Sequence, residues 1–85
     1  MVRIEWTEGA IKGLENLDKP IVQRILRRLA WFSKNFPRIV PEPLTGEFKG
    51  PFKLRIGDWR VVYTVEGETI VIQFVGHRRE IYKYR

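Results

Sequence analysis

Residues 48–82 leave this chain few folds to choose from. Three apolar runs of strand length follow one another there, separated by Gly57-Asp58 and by Glu66-Gly67-Glu68. Both separators are reverse-turn sequences of the kind that join neighbouring antiparallel strands. The expectation is a meandering antiparallel sheet. Threaded onto it are Lys49, Lys53, Arg55, Arg60, His77, Arg78, Arg79 and Tyr82, with few acids between them. Such a sheet presents a surface suited to a polyanion.

Eighty-five residues supply one modest core, and residues 1–85 read as a single domain. Hydrophobic residues at 44% beside 31% charged residues are the balance of a globular protein rather than a disordered tail. No apolar run approaches the roughly 20 residues of a membrane span. The opening Met-Val-Arg-Ile-Glu-Trp alternates charged with apolar residues and lacks a signal peptide's apolar segment, so the expected compartment is the cytoplasm, with no membrane partner. The absence of cysteine excludes disulfides, a thiol nucleophile and a thiolate metal site, and one histidine cannot by itself build a His-based metal centre. Sixteen basic against ten acidic residues give a net charge of +6. That balance fits a nucleic acid, an acidic protein, or both.

Residues 2–6 alternate, with Val2, Ile4 and Trp6 inward, and predict a short first strand. Thr7 is placed to cap a helix with Glu8 in its first turn. That helix runs to about Leu17 and buries Ala10 or Ile11, Leu14 and Leu17. Gly9 and Gly13 weaken it, so it must rely on tertiary packing. Asp18-Lys19-Pro20 starts a second helix, with Asp18 as cap and Pro20 in the first turn. Its apolar stripe is Ile21, Val22, Ile25, Leu26, Leu29 and Phe32, continuing to Phe36. The short connection predicts an antiparallel hairpin of the two helices. Trp31 falls off the stripe, either as partner-binding surface or, the reading favoured here, packed under the following loop. Asn35-Phe36-Pro37 ends the helix, and Pro37, Pro41, Pro43 and Gly46 predict about a dozen irregular residues after it. The fold class is therefore α+β: an N-terminal strand, an antiparallel helix hairpin, then a C-terminal antiparallel sheet meander.

With Gly57-Asp58 as a two-residue turn, Ile56 faces Trp59, Arg55 faces Arg60, Leu54 faces Val61 and Lys53 faces Val62. Side-chain alternation then puts Leu54, Ile56, Trp59, Val61, Tyr63 and Val65 on one face, joined by Ile70, Ile72 and Phe74. The other face collects Lys53, Arg55, Arg60, Gln73 and His77, with Val62, Thr64, Val71 and Val75 between them. Arg55 opposite Arg60 costs a few tenths of a kcal/mol. Either an anionic ligand sits between them, the reading favoured here, or an acid such as Glu5 or Glu47 pairs with them. Gly76 can mark a bulge or bend, and beyond it alternation no longer fixes directions. Ile81, Tyr82, Lys83 and Tyr84 suit a short edge strand.

The run L-T-G-E-F-K-G-P-F-K-L-R-I-G-D-W-R-V-V-Y-T-V, followed by F-V-G-H-R-R-E-I-Y, resembles the RelE/ParE superfamily of toxins from prokaryotic type II toxin–antitoxin modules, in its RelE-like branch. The resemblance covers nearly the whole chain. It is sharpest at K-L-R-x-G-D-x-R-V-x-Y and at the late G-H-R-x-x-x-Y. It implies the RelE-like microbial RNase fold and a ribosome-dependent endoribonuclease that cuts mRNA in the ribosomal A site. The ParE-like alternative shares the fold and inhibits DNA gyrase without nuclease chemistry. A plain RNA-binding domain is the third reading.

By the same resemblance the catalytic set maps to Lys53, Arg60, Arg78 and Tyr82, with Lys49, Arg55, Gln73, His77 and Arg79 as RNA-binding residues. Where RelE carries a further lysine two positions before the first, this chain has Pro51, with Lys49 two residues earlier; the spacing from the late arginine to the tyrosine is also shorter here. The implied reaction is attack of a ribose 2′-OH on the adjacent phosphate, leaving a cyclic phosphate and a 5′-OH, with no metal or other cofactor required. Arg55 and Arg60 suit phosphate oxygens because guanidinium offers a planar fork of donors. Lys53 or His77 is the proton acceptor, Arg78 serves the leaving oxygen, and Tyr82 stacks a base or orients the 2′-OH. The implied partners are a cognate antitoxin protein, the ribosome and mRNA.

Overall fold

The strands are β1 (Arg3–Trp6), β2 (Glu42–Pro43), β3 (Phe52–Ile56), β4 (Trp59–Glu66) and β5 (Thr69–His77), and they form one sheet in the order β1-β5-β4-β3-β2. Two helices, α1 (Glu8–Glu15) and α2 (Lys19–Asn35), and a 3-10 turn over Phe36–Arg38 lie between β1 and β2 in the chain. The computed structural model describes residues 2–44 and 50–81.

The meander forms in the register expected. Arg55 stands opposite Arg60, with Ile56 opposite Trp59 and Lys53 opposite Val62. Gly57 and Gly67 each occupy the first position of a two-residue turn with φ of 61°. That is the backbone a glycine-first hairpin turn needs to match the right-handed strand twist. The sheet is wider than the meander, however. β1 adds to β5 as a parallel edge, Arg3 beside Thr69 and Trp6 beside Ile72. β2 pairs with β3 on the other side, inside the segment expected to be irregular. Pro43 within it and Pro41 before it are compatible with pairing because an outer strand can dispense with N–H donors on its free side.

Thr7 caps α1, its Oγ1 accepting from the Ala10 N–H at 3.2 Å and donating to the Ile72 carbonyl at 3.0 Å. The helix ends at Glu15, two residues before the expected Leu17. Ala10 is its inward residue and Ile11 stays 45% exposed. Gly13 has a use that propensity hides: a Cβ there would sit 2.3 Å from the Val75 carbonyl oxygen. The missing side chain lets α1 lie directly against β5. Asp18 holds the cap position of α2 without a side-chain capping bond; its carbonyl instead accepts from the Ile21 and Val22 N–H groups.

Ile25, Leu29 and Phe32 of α2 pack on Ile56, Val61, Tyr63, Ile70, Ile72 and Val75, with Ala10 from α1. Phe32, Phe36, Phe52 and Tyr63 form an aromatic group around the Tyr63 ring. Buried Ser33 donates to the Val2 carbonyl and ties α2 to the start of the chain. Leu26, placed on the buried stripe from spacing, is 44% exposed. Trp31 is 48% exposed rather than packed under the following segment, with the Arg28 guanidinium 4.5 Å from its ring centre.

One irregularity redirects the end of β5. Val62 pairs with Phe74 but Tyr63 pairs with Ile72, so Gln73 is an extra residue and the strand bulges there. A bulge shifts the alternation of everything after it. Val75 and His77 therefore share the face of Val61 and Trp59, while Phe74 moves to that of Val62 and Arg60, the reverse of strict alternation. Val75 belongs to the core as a result.

Candidate nucleic-acid interface

The β3–β4 hairpin fixes three cations by simple alternation. Lys53, Arg55 and Arg60 point to the face away from the helices because Leu54, Ile56 and Val61 point toward them. Arg78 joins them because its N–H donates to the Asp58 carbonyl at 2.8 Å, holding the chain beyond β5 alongside the β3–β4 turn. These residues and Arg79 line a cleft of about 390 Å³, bounded by the apolar side chains of Leu44 and Ile81. Among the described residues no carboxylate lines it.

Each cation is held differently. Arg60 Nη1 donates to the Gly57 carbonyl at 2.8 Å and the Trp59 carbonyl at 2.9 Å, which orients the guanidinium and leaves further donors for a ligand. Arg55 forms a two-point pair with Glu42, Nη2 to Oε1 at 2.8 Å and Nε to Oε2 at 3.2 Å. An acid, Glu42, thus relieves the Arg55–Arg60 opposition, as the second reading of that pair allowed; Glu47 lies outside the described residues. Both partners are well exposed, so the pair contributes about 0–1 kcal/mol. Arg78 Nε lies 3.9 Å from Asp58, a loose contact. Lys53 makes no ion pair among the described residues.

Other candidates are placed elsewhere. His77 stands opposite Trp59, their ring centres 5.3 Å apart and edge-on, off the cationic face. Its Nδ1 accepts the Arg79 N–H at 3.2 Å. Strict alternation put it beside Lys53, and the bulge at Gln73 is the physical reason it is not. Gln73 stays on the cationic face but donates to Thr64 Oγ1 at 3.1 Å and does not line the cleft. Lys49 and Tyr82 lie outside the described residues, as does the expected edge strand beyond Ile81. Glu42 and the apolar boundary residues Leu44 and Ile81 were not anticipated. The Pro-Glu-Pro spelling of an outer strand is the one signal that pointed to Glu42.

Chemically, five cations in a cleft that no carboxylate lines among the described residues can hold a phosphodiester and stabilise additional negative charge on it. Behind this surface lies Tyr63, whose hydroxyl is pushed up to about 12 by burial and, secondarily, by the charge of Glu42. It belongs to the core and not to the cleft.

Comparisons with known proteins bear on the family and the fold. The family model described as ParE toxin of type II toxin-antitoxin system, parDE, matches residues 4–82. Toxin RelG of Mycobacterium tuberculosis is 30% identical over 82 residues, covering 94% of each chain. The crystal structure of the toxin-antitoxin complex RelBE2 from Mycobacterium tuberculosis contains a chain 29% identical, with a TM-score of 0.76, covering 91% of this chain and 98% of that one. The isolated RelE toxin of E. coli superposes with a TM-score of 0.75 at 23% identity, covering 99% of this chain and 94% of that one, a likeness of fold.

Proposed function

This chain belongs to the ParE toxin family of type II toxin–antitoxin systems, within the RelE/ParE superfamily, and from that membership we propose that it is a ribosome-dependent endoribonuclease cutting translated mRNA in the A site. The observation that carries the reading is the cleft in which Lys53, Arg55, Arg60, Arg78 and Arg79 converge without a lining carboxylate among the described residues.

In this reading the ribose 2′-oxygen attacks the adjacent phosphorus and the bond to the 5′-oxygen breaks, giving a cyclic phosphate and a 5′-OH. Lys53 accepts the 2′-OH proton. It is preferred to His77 because it lines the cleft and His77 does not. Arg60 and Arg55 hold the non-bridging oxygens, where charge grows as the pentacoordinate phosphorus forms. Arg78 stabilises the leaving oxygen, which takes its proton from solvent to become the 5′-OH, with Arg79 beside it on the RNA. Tyr82 completes the proposed catalytic set by stacking a base or orienting the 2′-OH, and Lys49 and Gln73 are proposed RNA contacts. The ribosome supplies the positioning that such a modest set of acids and bases lacks.

The RelE-like neighbours include toxin–antitoxin complexes, which supports a cognate antitoxin for this chain. We place an acidic or amphipathic segment of it over the cleft. A second reading, a gyrase inhibitor without nuclease chemistry, is favoured by one observation, the ParE description of the matched family.

Primer extension on a reporter mRNA, after expression without antitoxin, tests the choice. New 5′ ends within translated codons, absent when translation is blocked, are expected. Intact mRNA with loss of DNA supercoiling would transfer the function to gyrase.

A further inference from the structure

Lys53 and Arg55 line a second groove as well as the cleft. Its volume is about 280 Å³, and it has apolar walls from Ile39, Val40 and Leu54; Arg28 of α2 also lines it, as does Glu42, whose carboxylate is paired with Arg55. Val40 is 85% exposed there, an aliphatic side chain left open to water. Arg28 in turn lies over the half-exposed Trp31 ring. The helix that carries both residues has Lys19, Arg24, Arg27, Arg28 and Lys34 but no acid. Arg24 sits three and four residues from Arg27 and Arg28, spacings at which like charges repel on a helix surface. Among the described residues no carboxylate forms an ion pair with any of these α2 cations.

We infer that the cleft, this groove and the Arg28–Trp31 pair form one track for single-stranded RNA. The strand whose phosphate occupies the cleft continues past β3, sets a base against the apolar groove wall and stacks a further base on Trp31. The inference rests on the nuclease reading for what occupies the cleft. Single-stranded RNA fits better than an acidic peptide because cations and exposed apolar or aromatic surface alternate along the path, as phosphates and bases do. A groove of this size accepts one flat base and excludes a duplex.

The test uses the full chain and 2′-O-methyl oligonucleotides, which lack the attacking hydroxyl, of about four and about ten nucleotides, with binding read by fluorescence anisotropy. Trp31→Ala is expected to weaken the longer oligonucleotide about 5- to 150-fold, the range of one lost base stack, and to leave the shorter one unchanged. Arg28→Ala should weaken the longer one several-fold, and circular dichroism confirms that both variants fold. Arg60→Ala with Arg78→Ala should weaken both lengths. If Trp31→Ala and Arg28→Ala bind the longer oligonucleotide as the parent does, the track is wrong and the cleft reading survives. If the cleft variant has no effect while Trp31→Ala does, the nuclease reading fails and with it the continuous track, leaving Trp31 as a separate RNA contact. Absence of binding by either length, or a Trp31-dependent affinity for a poly-glutamate peptide in place of RNA, overturns the track.

Discussion

Glu42 and Arg55 meet in a two-point pair beside the cationic cleft, so an acid of this chain already occupies one of the positions an RNA phosphate would take. Removing the carboxylate charge should free the guanidinium. Glu42→Gln is expected to bind a 2′-O-methyl oligonucleotide about two- to five-fold more tightly, the scale of one exposed pair. Its melting free energy should stay within about 0.5 kcal/mol of the parent. Weaker binding would mean that Glu42 positions Arg55 rather than competing for it.

Arg60 and Arg78 reach the cleft from different strand ends, and neither supports the core. Arg60→Ala with Arg78→Ala should lower single-turnover cleavage on programmed ribosomes by about 100-fold or more, the usual cost of lost charge stabilisation. The thermal transition should be nearly unmoved. A folded double variant that remained fully toxic would refute the assigned site.

His77 offers the complementary control. Its ring contacts Trp59 and lies off the cleft, so His77→Ala should keep cleavage within a few-fold of the parent and leave the pH–rate profile unchanged in shape. Stability should fall by about 0.5–1.5 kcal/mol from the lost ring contact. A vanished limb of the pH profile would restore His77 as the base.

Gly13 sets helix propensity against packing. Alanine would stabilise an isolated α1 by up to about 1 kcal/mol, but its Cβ would meet the Val75 carbonyl oxygen at 2.3 Å. Backbone in the middle of a sheet cannot yield cheaply, so Gly13→Ala should destabilise by about 1–3 kcal/mol. Urea unfolding measures it, and a more stable variant would contradict the close approach of α1 to β5.

Tyr63 predicts an alkaline weakness. Its folded pKa of about 12 lies above the ordinary tyrosine value near 10, so the neutral form is favoured in the fold. Its contribution is intact below pH 10. Between pH 10 and 12 the unfolded chain ionises first, and about 2–3 kcal/mol is lost. Tyr63→Phe should lose less stability over that interval, measured by urea unfolding at each pH. An identical loss in both proteins would assign the effect to other groups.

Most of the sheet could be read without coordinates, because two glycine-first turns fix the meander's register and a fixed register fixes the faces. Lys53, Arg55 and Arg60 were placed correctly for that reason. His77 was not, since a bulge is set by how a strand end must turn to satisfy its neighbours, and nothing local in Gln73-Phe74 spells it. Glu42 was missed because a two-residue strand is too short to show alternation. Leu26 shows the limit of helical spacing, for α2 meets the sheet along a narrower strip than its apolar residues could cover. Gly13 read as a weakness when seen from the helix alone; only the neighbouring carbonyl explains it.

The parallel pairing of β1 with β5 joins the first strand made to the last. Arg3 waits for Thr69, and Ile70, Ile72 and Val75 are among the last core side chains to be translated. A chain interrupted before β5 therefore has an open edge, an incomplete core and neither Arg78 nor Arg79. Because long-range pairing closes late in folding, the cationic cleft is completed only after β5 and Arg78–Arg79 have been translated. A product cut short before Thr69 would carry the helices and the β3–β4 hairpin without the cleft.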